Sequence, residues 1–266
     1  MCWHDGAIFS AAYEYGFLMS SIERGKPGDT EIEAVAGMGA RVNGVNDLSL
    51  SDDCIVSVSP EGKIFVADRY KRRLLSFENG SENVVLAEVN IWSVSCSPSG
   101  DVYVLTQSGH AVEKLDGATL HPVISREHLP ADLQFEAFHL FVAKDDVIYL
   151  SDNENSRILR LSPGQTEPVV VGEAPNKESS SLHGLFVTGD DKIYVADFQQ
   201  QMVWTFHRAD AAWTEVLTCP GELRPIDVVV QGRSLYVAMI DDEDTSTFTD
   251  KPGVYEYVLP PELQLG

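Results

Sequence analysis

Residues 190–197 read DDKIYVAD. The same pattern returns as EGKIFVAD at 61–68, SGDVYVLT at 99–106, DDVIYLSD at 145–152 and GRSLYVAM at 232–239, with a degenerate copy, DGAIFSAA, at 5–12. Each copy sets a turn pair before an aliphatic residue (Ile8, Ile64, Val102, Ile148, Ile193, Leu235) and then an aromatic one (Phe9, Phe65, Tyr103, Tyr149, Tyr194, Tyr236). The copies are 38 to 56 residues apart, the length of a four-stranded propeller blade. Other repeats of that length are helical, whereas these segments are rich in Val, Ile, Tyr and Phe and bounded by Gly, Asp and Ser, which predicts strands.

Each unit divides further. An apolar strand precedes the turn in CIVSVS (54–59), WSVSCS (92–97), HLFVA (139–143), HGLFVT (183–188) and IDVVV (226–230). A third strand follows in KRRLLSF (71–77), HAVEKL (110–115), SRILRL (156–161), MVWTF (202–206) and GVYEYV (253–258), and a fourth in IEAVA, VVLAE, HPVIS, EPVVV and WTEVL. A lone four-stranded sheet has two apolar faces and is marginal, and radial packing of blades covers both. The expectation is an all-β chain, one β-propeller domain over residues 1–266 with about six four-stranded blades. Its repeat units lie near 1–36, 45–88, 89–125, 134–172, 180–218 and 222–260. The first and last blades read as incomplete, because the first unit opens on its second strand and the last stops after its third.

Composition narrows the partners. With 41 Asp and Glu against 19 Lys and Arg, the formal charge is -22, which repels nucleic-acid phosphates and anionic membranes. Four dispersed cysteines, Cys2, Cys54, Cys96 and Cys219, show neither zinc-site spacing nor the density of a disulfide scaffold. The opening MCWHDGAIFS has no basic stretch followed by an apolar run, so a cytoplasmic location is expected.

The stretch IYLSDNENSRILRL (148–161), together with Ile64 to Phe77 and EAVAGMGARVNG at 33–44, resembles the NHL repeat. More distantly, the chain is similar to the gluconolactonase and strictosidine-synthase-like propellers. The Asp that ends the NHL-like motif is present as Asp68, Asp152 and Asp197 and replaced by Ala12, Thr106 and Met239 elsewhere. Its expected role is structural, anchoring the following turn through side-chain to backbone hydrogen bonds.

In this fold the first residues of the first strands cluster at the mouth of the channel, and aligning the units places Cys54, Trp92, Phe138, His183 and Ile226 there. Gluconolactonase-like propellers hold a divalent cation through Asn, Asp and Glu at this level, because a hard cation needs converging oxygens. The row offers none, and a shift of one residue brings in only Asp53 and Asp227. The zinc site of an NHL-like peptide-amidating lyase needs several inner histidines, and only His183 fits the frame, His139 lying one residue along its strand. A strictosidine-synthase-like pocket suits the apolar Trp92 and Phe138, with Glu136 as a candidate carboxylate.

The run DDEDTSTFTD at 241–250 carries oxygens for a divalent cation such as calcium but lacks calcium-loop spacing. The cluster Lys71, Arg72 and Arg73 suits an acidic peptide or a solvated strand edge. No catalytic residue, metal ligand or cofactor is assigned. The expectation is a non-catalytic scaffold that binds protein or peptide, with no nucleic-acid or membrane partner. The alternative is a small-molecule hydrolase or lyase acting at the channel mouth.

Overall fold

The computed structural model describes residues 1–14, 19–26, 33–36, 50, 54–78, 81–208, 212–241 and 253–263. The candidate Asp53, residues 37–44 of the NHL-like linker and residues 242–250 of the acidic run lie outside them. The chain divides into two compact units, residues 1–123 and 124–266. Among the described residues the secondary structure is strands and short 3-10 turns, and no helix is long and apolar enough to cross a membrane.

Six antiparallel meanders account for the strands, each with its strands in sequence order. In unit 1, blade 1 is Cys2–His4, Ala7–Glu14, Met19–Gly25 and Glu33–Ala36, and blade 2 is Cys54–Val58, Ile64–Asp68, Arg73–Glu78 and Ser81–Leu86. Blade 3 is Ile91–Cys96, Val102–Thr106, Ala111–Asp116 and Thr119–Ser125. In unit 2, blade 4 is Ala137–Val142, Ile148–Asp152, Arg157–Leu161 and Val169–Glu173, and blade 5 is Leu182–Val187, Lys192–Asp197, Met202–His207 and Trp213–Thr218. Among the described residues blade 6 has three strands, Leu223–Gln231, Ser234–Asp241 and Gly253–Val258. The three-residue strand Cys2–His4 pairs with Ala7–Phe9 and gives blade 1 the first strand that the repeat pattern lacked. Its polar His4 and two-residue turn had hidden it.

The turn pairs owe their composition to backbone geometry. Ser59 and Ser97 close their hairpins by bonding Lys63 and Asp101 carbonyls at 2.9 and 2.8 Å, which forces Gly62 and Gly100 to φ of 86° and 94°. Only glycine, or an Asx residue as at Asp191 (φ 64°), takes that region cheaply. Beyond the turn, the second strands of blades 2, 3 and 4 are buried at all five positions.

In blades 2 and 5 both faces are covered by neighbouring sheets. In unit 1, Phe9 and Ile22 of blade 1 pack with Val56, Val66 and Leu75 of blade 2, and on the other side Phe65, Ala67 and Leu74 pack with Ile91, Val94 and Val104 of blade 3. In unit 2, Tyr149 and Ile158 of blade 4 meet Leu185, Ile193 and Val195 of blade 5, while Tyr194 and Val203 meet Val228, Leu235 and Val237 of blade 6. Each such residue removes about 1.5–3 kcal/mol of apolar surface cost from water. The cysteines are free thiols. Burial pushes Cys96 and Cys219 up to about 12, which leaves little reactive thiolate at neutral pH.

The motif aspartates sit at the end of the second strand, fully buried. Asp68 accepts from Arg73 Nε at 2.9 Å. Asp152 accepts from Arg157 Nε at 2.7 Å, Asn155 Nδ2 at 2.9 Å and the Glu136 N–H at 3.2 Å. Asp197 accepts from the Ser181 and Gln200 N–H groups at 3.0 and 3.2 Å. One carboxylate thus ties the turn after its strand to another strand of the blade or to the segment before the blade. Where the Asp is missing, Thr106 donates to Glu113 Oε2 at 2.6 Å instead, and Met239 is buried among the apolar residues of blade 6.

Arg157 continues the network by donating to the Asp132 and Gln134 carbonyls at 2.7 and 2.9 Å. Removing one partner of a buried ion pair strands the other. The Asp152→Ala variant is therefore expected to lose about 3 kcal/mol, read from urea denaturation, and a loss within error of an exposed Asp116→Ala control contradicts the anchoring role.

Candidate functional site

The first strands of blades 3 to 6 share an irregularity that the repeat pattern does not reveal. In blade 3, Ser93 faces Leu105 and Ile91 faces Thr106, so Trp92 is an extra residue in the ladder. In blade 4, His139 faces Ser151 and Ala137 faces Asp152, which makes Phe138 the extra residue. Ile226 holds that place between Pro225 and Asp227 in blade 6, and His183 with Gly184 spans the shift between Leu182 and Leu185 in blade 5. A bulge bends the strand locally and re-aims the side chain it carries. Trp92, Phe138, His183 and Ile226 are all half-buried within mostly buried strands.

Cys54 departs from that row. It pairs directly with Asp68, and Ile55 follows opposite Ala67 without a shift. It therefore takes the ladder place of Ile91, Ala137, Leu182 and Pro225, and lies buried beside Phe9 and Val56. Counting residues back from the turn aligned it with Trp92 because a bulge adds one residue without changing the count at the other end.

Within unit 1, the Arg69 guanidinium lies 3.7 Å from the Trp92 ring centroid, a cation-π contact. Within unit 2, Phe138 and His183 stack at 4.7 Å and 13°, His183 and Phe198 at 4.8 Å and 13°, and the Arg224 guanidinium lies 5.1 Å from the Phe198 centroid. Arg224 also donates from Nη1 to the Phe198 carbonyl at 3.3 Å. The result is a four-rung ladder drawn from three successive blades, Phe138, His183, Phe198 and Arg224. Its members are half-buried.

The sequence reading included Phe138 and His183 but missed Phe198 and Arg224. The signal for Phe198 is its place directly after the motif Asp197, which Arg69 shares after Asp68. The Glu136 N–H donates to Asp152 Oδ1, and its carbonyl accepts from the Asn153 N–H at 2.9 Å. In the basic cluster, Arg73 is held by Asp68, and Arg72 donates to the Glu88 carbonyl at 3.2 Å.

One buried pair lies behind the ladder. His139 Nε2 is 3.9 Å from Asp227 Oδ1, with both residues buried. The Leu185 N–H donates to His139 Nδ1 at 3.5 Å, which puts the ring proton on Nε2, toward the carboxylate. Asp227 Oδ1 also accepts the Val228 N–H at 2.8 Å. Gly184 admits this approach, since a Cβ there would lie 2.6 Å from the Asp227 Cα. Three first strands are thus joined by an imidazole and a carboxylate that register comparison of single blades leaves apart. Among the described residues no group of three or more His, Cys, Asp and Glu side chains is placed to hold a metal ion.

No family model matches the chain, and no curated protein does. Solved structures do. Virginiamycin B lyase from Staphylococcus aureus is 13% identical, with a TM-score of 0.59 over 90% of this chain and 77% of that one. The gluconolactonase XC5397 from Xanthomonas campestris is 15% identical, with a TM-score of 0.59 over 77% of this chain and 75% of that one. A streptogramin B lyase is 13% identical, with a TM-score of 0.59 over 90% and 76%. Likeness at such identity is likeness of fold, and the fold of this chain is the six-bladed β-propeller.

Two outcomes test the pair behind the ladder. Gly184→Ala is expected to cost about 2 kcal/mol or more in urea denaturation, because the obstructing atom is backbone; a loss near zero contradicts the close approach. Burial pushes the His139 imidazole below its ordinary 6.5, outweighing the pull of Asp227. A lowered folded value means that the unfolded chain protonates first, so stability is full above 6.5 and falls as the pH drops below it. Wild-type Tm should fall more steeply than that of His139→Gln between about pH 7 and 5. Equal slopes contradict the assignment.

Proposed function

We propose that this propeller is a non-catalytic binding module for protein or peptide, docking through the Phe138–His183–Phe198–Arg224 ladder of unit 2, with the Arg69-covered Trp92 ring of unit 1 a docking candidate taken by itself. The observation that carries the reading is that ring faces here are already covered from within the chain, Trp92 by Arg69 and His183 by two phenylalanines. A pocket for a planar small molecule needs free ring faces, whereas a protein surface uses the edges of rings held rigid beforehand. Aromatic and Arg side chains dominate the binding energy of protein interfaces, and side chains fixed in advance lose little entropy on docking. The charge of -22 favours a cationic polypeptide over nucleic acid as partner.

A second reading, hydrolysis or lyase chemistry on a small molecule, is favoured by the fold shared with the lyase and gluconolactonase structures and by the His139–Asp227 pair. The two residues are 8% and 5% exposed, so substrate access to them requires the groups around them to move.

Peptide-display selection against the folded protein, paired with a screen of lactone and ester substrates with added magnesium or calcium, separates the readings. The expected result is selected peptides that lose about tenfold or more in affinity for Phe198→Ala or Trp92→Ala, with no turnover. Turnover abolished by chelator or by Asp227→Asn overturns the binding reading.

A further inference from the structure

Blade 6 differs from the other five in its outer strand. Blades 1 to 5 cover their third strand with a fourth, whereas among the described residues Gly253–Val258 has a strand partner on one side alone, Ser234–Asp241. The burial of this strand follows that difference. The third strands Arg73–Glu78 and Arg157–Leu161 are mostly buried and Met202–His207 half buried, while Ala111–Asp116 is buried at Ala111 and Val112. In Gly253–Val258, Tyr255 and Tyr257 turn inward to the apolar cluster, while Val254 is 41% and Val258 69% exposed.

The direction of the backbone groups can be assigned. The Leu259 N–H donates to the Arg233 carbonyl at 2.8 Å, and the pairing continues without a shift from Ser234 opposite Val258 to Met239 opposite Gly253. Hydrogen-bonded pairs alternate along an antiparallel ladder. Tyr257 and Tyr255 therefore direct their N–H and C=O groups to the neighbouring strand, and Val258, Glu256 and Val254 direct theirs to the open edge. Natural edges are blunted by Pro, charged side chains or a bulge; GVYEYV has no Pro and no register shift, and its one charge is Glu256.

We propose that this edge takes an added strand from a partner protein, an extended segment alternating β-branched and basic residues. Charge selects that occupant. Glu256 stands at the centre of the edge, held by Ser234 Oγ at 2.7 Å and Tyr236 OH at 3.1 Å. The ten residues 241–250 leading toward the strand carry five carboxylates, and the chain carries -22. A cationic side chain opposite Glu256 is attracted, an anionic one repelled. A second copy of this chain is disfavoured by the same residue, because antiparallel self-pairing about the strand centre sets Glu256 against Glu256. Main-chain hydrogen bonds would supply affinity and the alternate side chains specificity. The proposal shares no residue with the ladder and stands apart from it.

The test uses the full chain and a synthetic peptide of about eight residues alternating valine and lysine, with two controls: glutamate in place of lysine, and alternate backbone nitrogens methylated. Fluorescence anisotropy gives affinity and hydrogen exchange gives location. The lysine peptide is expected to bind and to slow exchange at the Val254, Glu256 and Val258 amides. Backbone methylation should weaken binding about tenfold or more through lost hydrogen bonds, and the glutamate peptide should bind about fivefold more weakly. Glu256→Lys should reverse the preference between the two charged peptides, and Val258→Pro should weaken binding without moving Tm.

Protection elsewhere, equal binding of the methylated peptide, or a concentration-dependent dimer that protects the same amides without peptide each overturns the proposal.

Discussion

A four-stranded β-meander cannot stand alone in water when both of its faces are apolar, and that constraint governs this chain. Tyr149 and Tyr194 are buried to 1% and 0% because a neighbouring sheet lies over them, and the same holds for Val66 and Val104 in unit 1. The second strands of blades 2 and 5 are therefore committed to two neighbours at once, one for each face. What remains free to vary is what lies outside those strands: the turns, the fourth strands, and the ends of the first strands. The proposed docking surface draws on the ends of the first strands and on the turns that follow the second.

The fold was legible because burial on both faces imposes short continuous aliphatic and aromatic runs on the second strands, and hairpin closure imposes Gly or Asx at fixed offsets. Ile148 and Tyr149 after Asp145-Asp146 announce a strand whatever the neighbouring blade contains. The terminal aspartates were legible for a similar reason, since a polar side chain ending an apolar strand next to a turn has few roles. Their partners were less so. Arg157 and Arg73 lie five residues on and can be guessed, but the Ser181 N–H that meets Asp197 belongs to the segment before the blade and shows only in three dimensions.

The site was half legible, and its missing half has a physical cause. A bulge adds one residue to a strand without a sequence signature of its own, so counting from the turn placed Cys54 beside Trp92 although its ladder partner is Asp68. Stacking across blades is equally silent. Phe198 and Arg224 belong to repeats that look unrelated at those positions, and they join Phe138 and His183 because three first strands run side by side. His139 and Asp227 were each weighed alone and discarded as ligands, while the structure shows them as a buried pair beneath the ladder, where Gly184 lets the backbones close in.

The account rests on the ladder being rigid before any partner arrives. The most direct measurement is side-chain NMR of the His183 ring in the free protein and with a selected peptide. Sandwiched between Phe138 and Phe198, its carbon-bound protons should show strong upfield ring-current shifts in the free state, and these should persist when peptide is bound. Shifts near those of an exposed histidine in the free protein, or loss of the stack when a small aromatic ligand binds, would contradict a pre-formed docking surface.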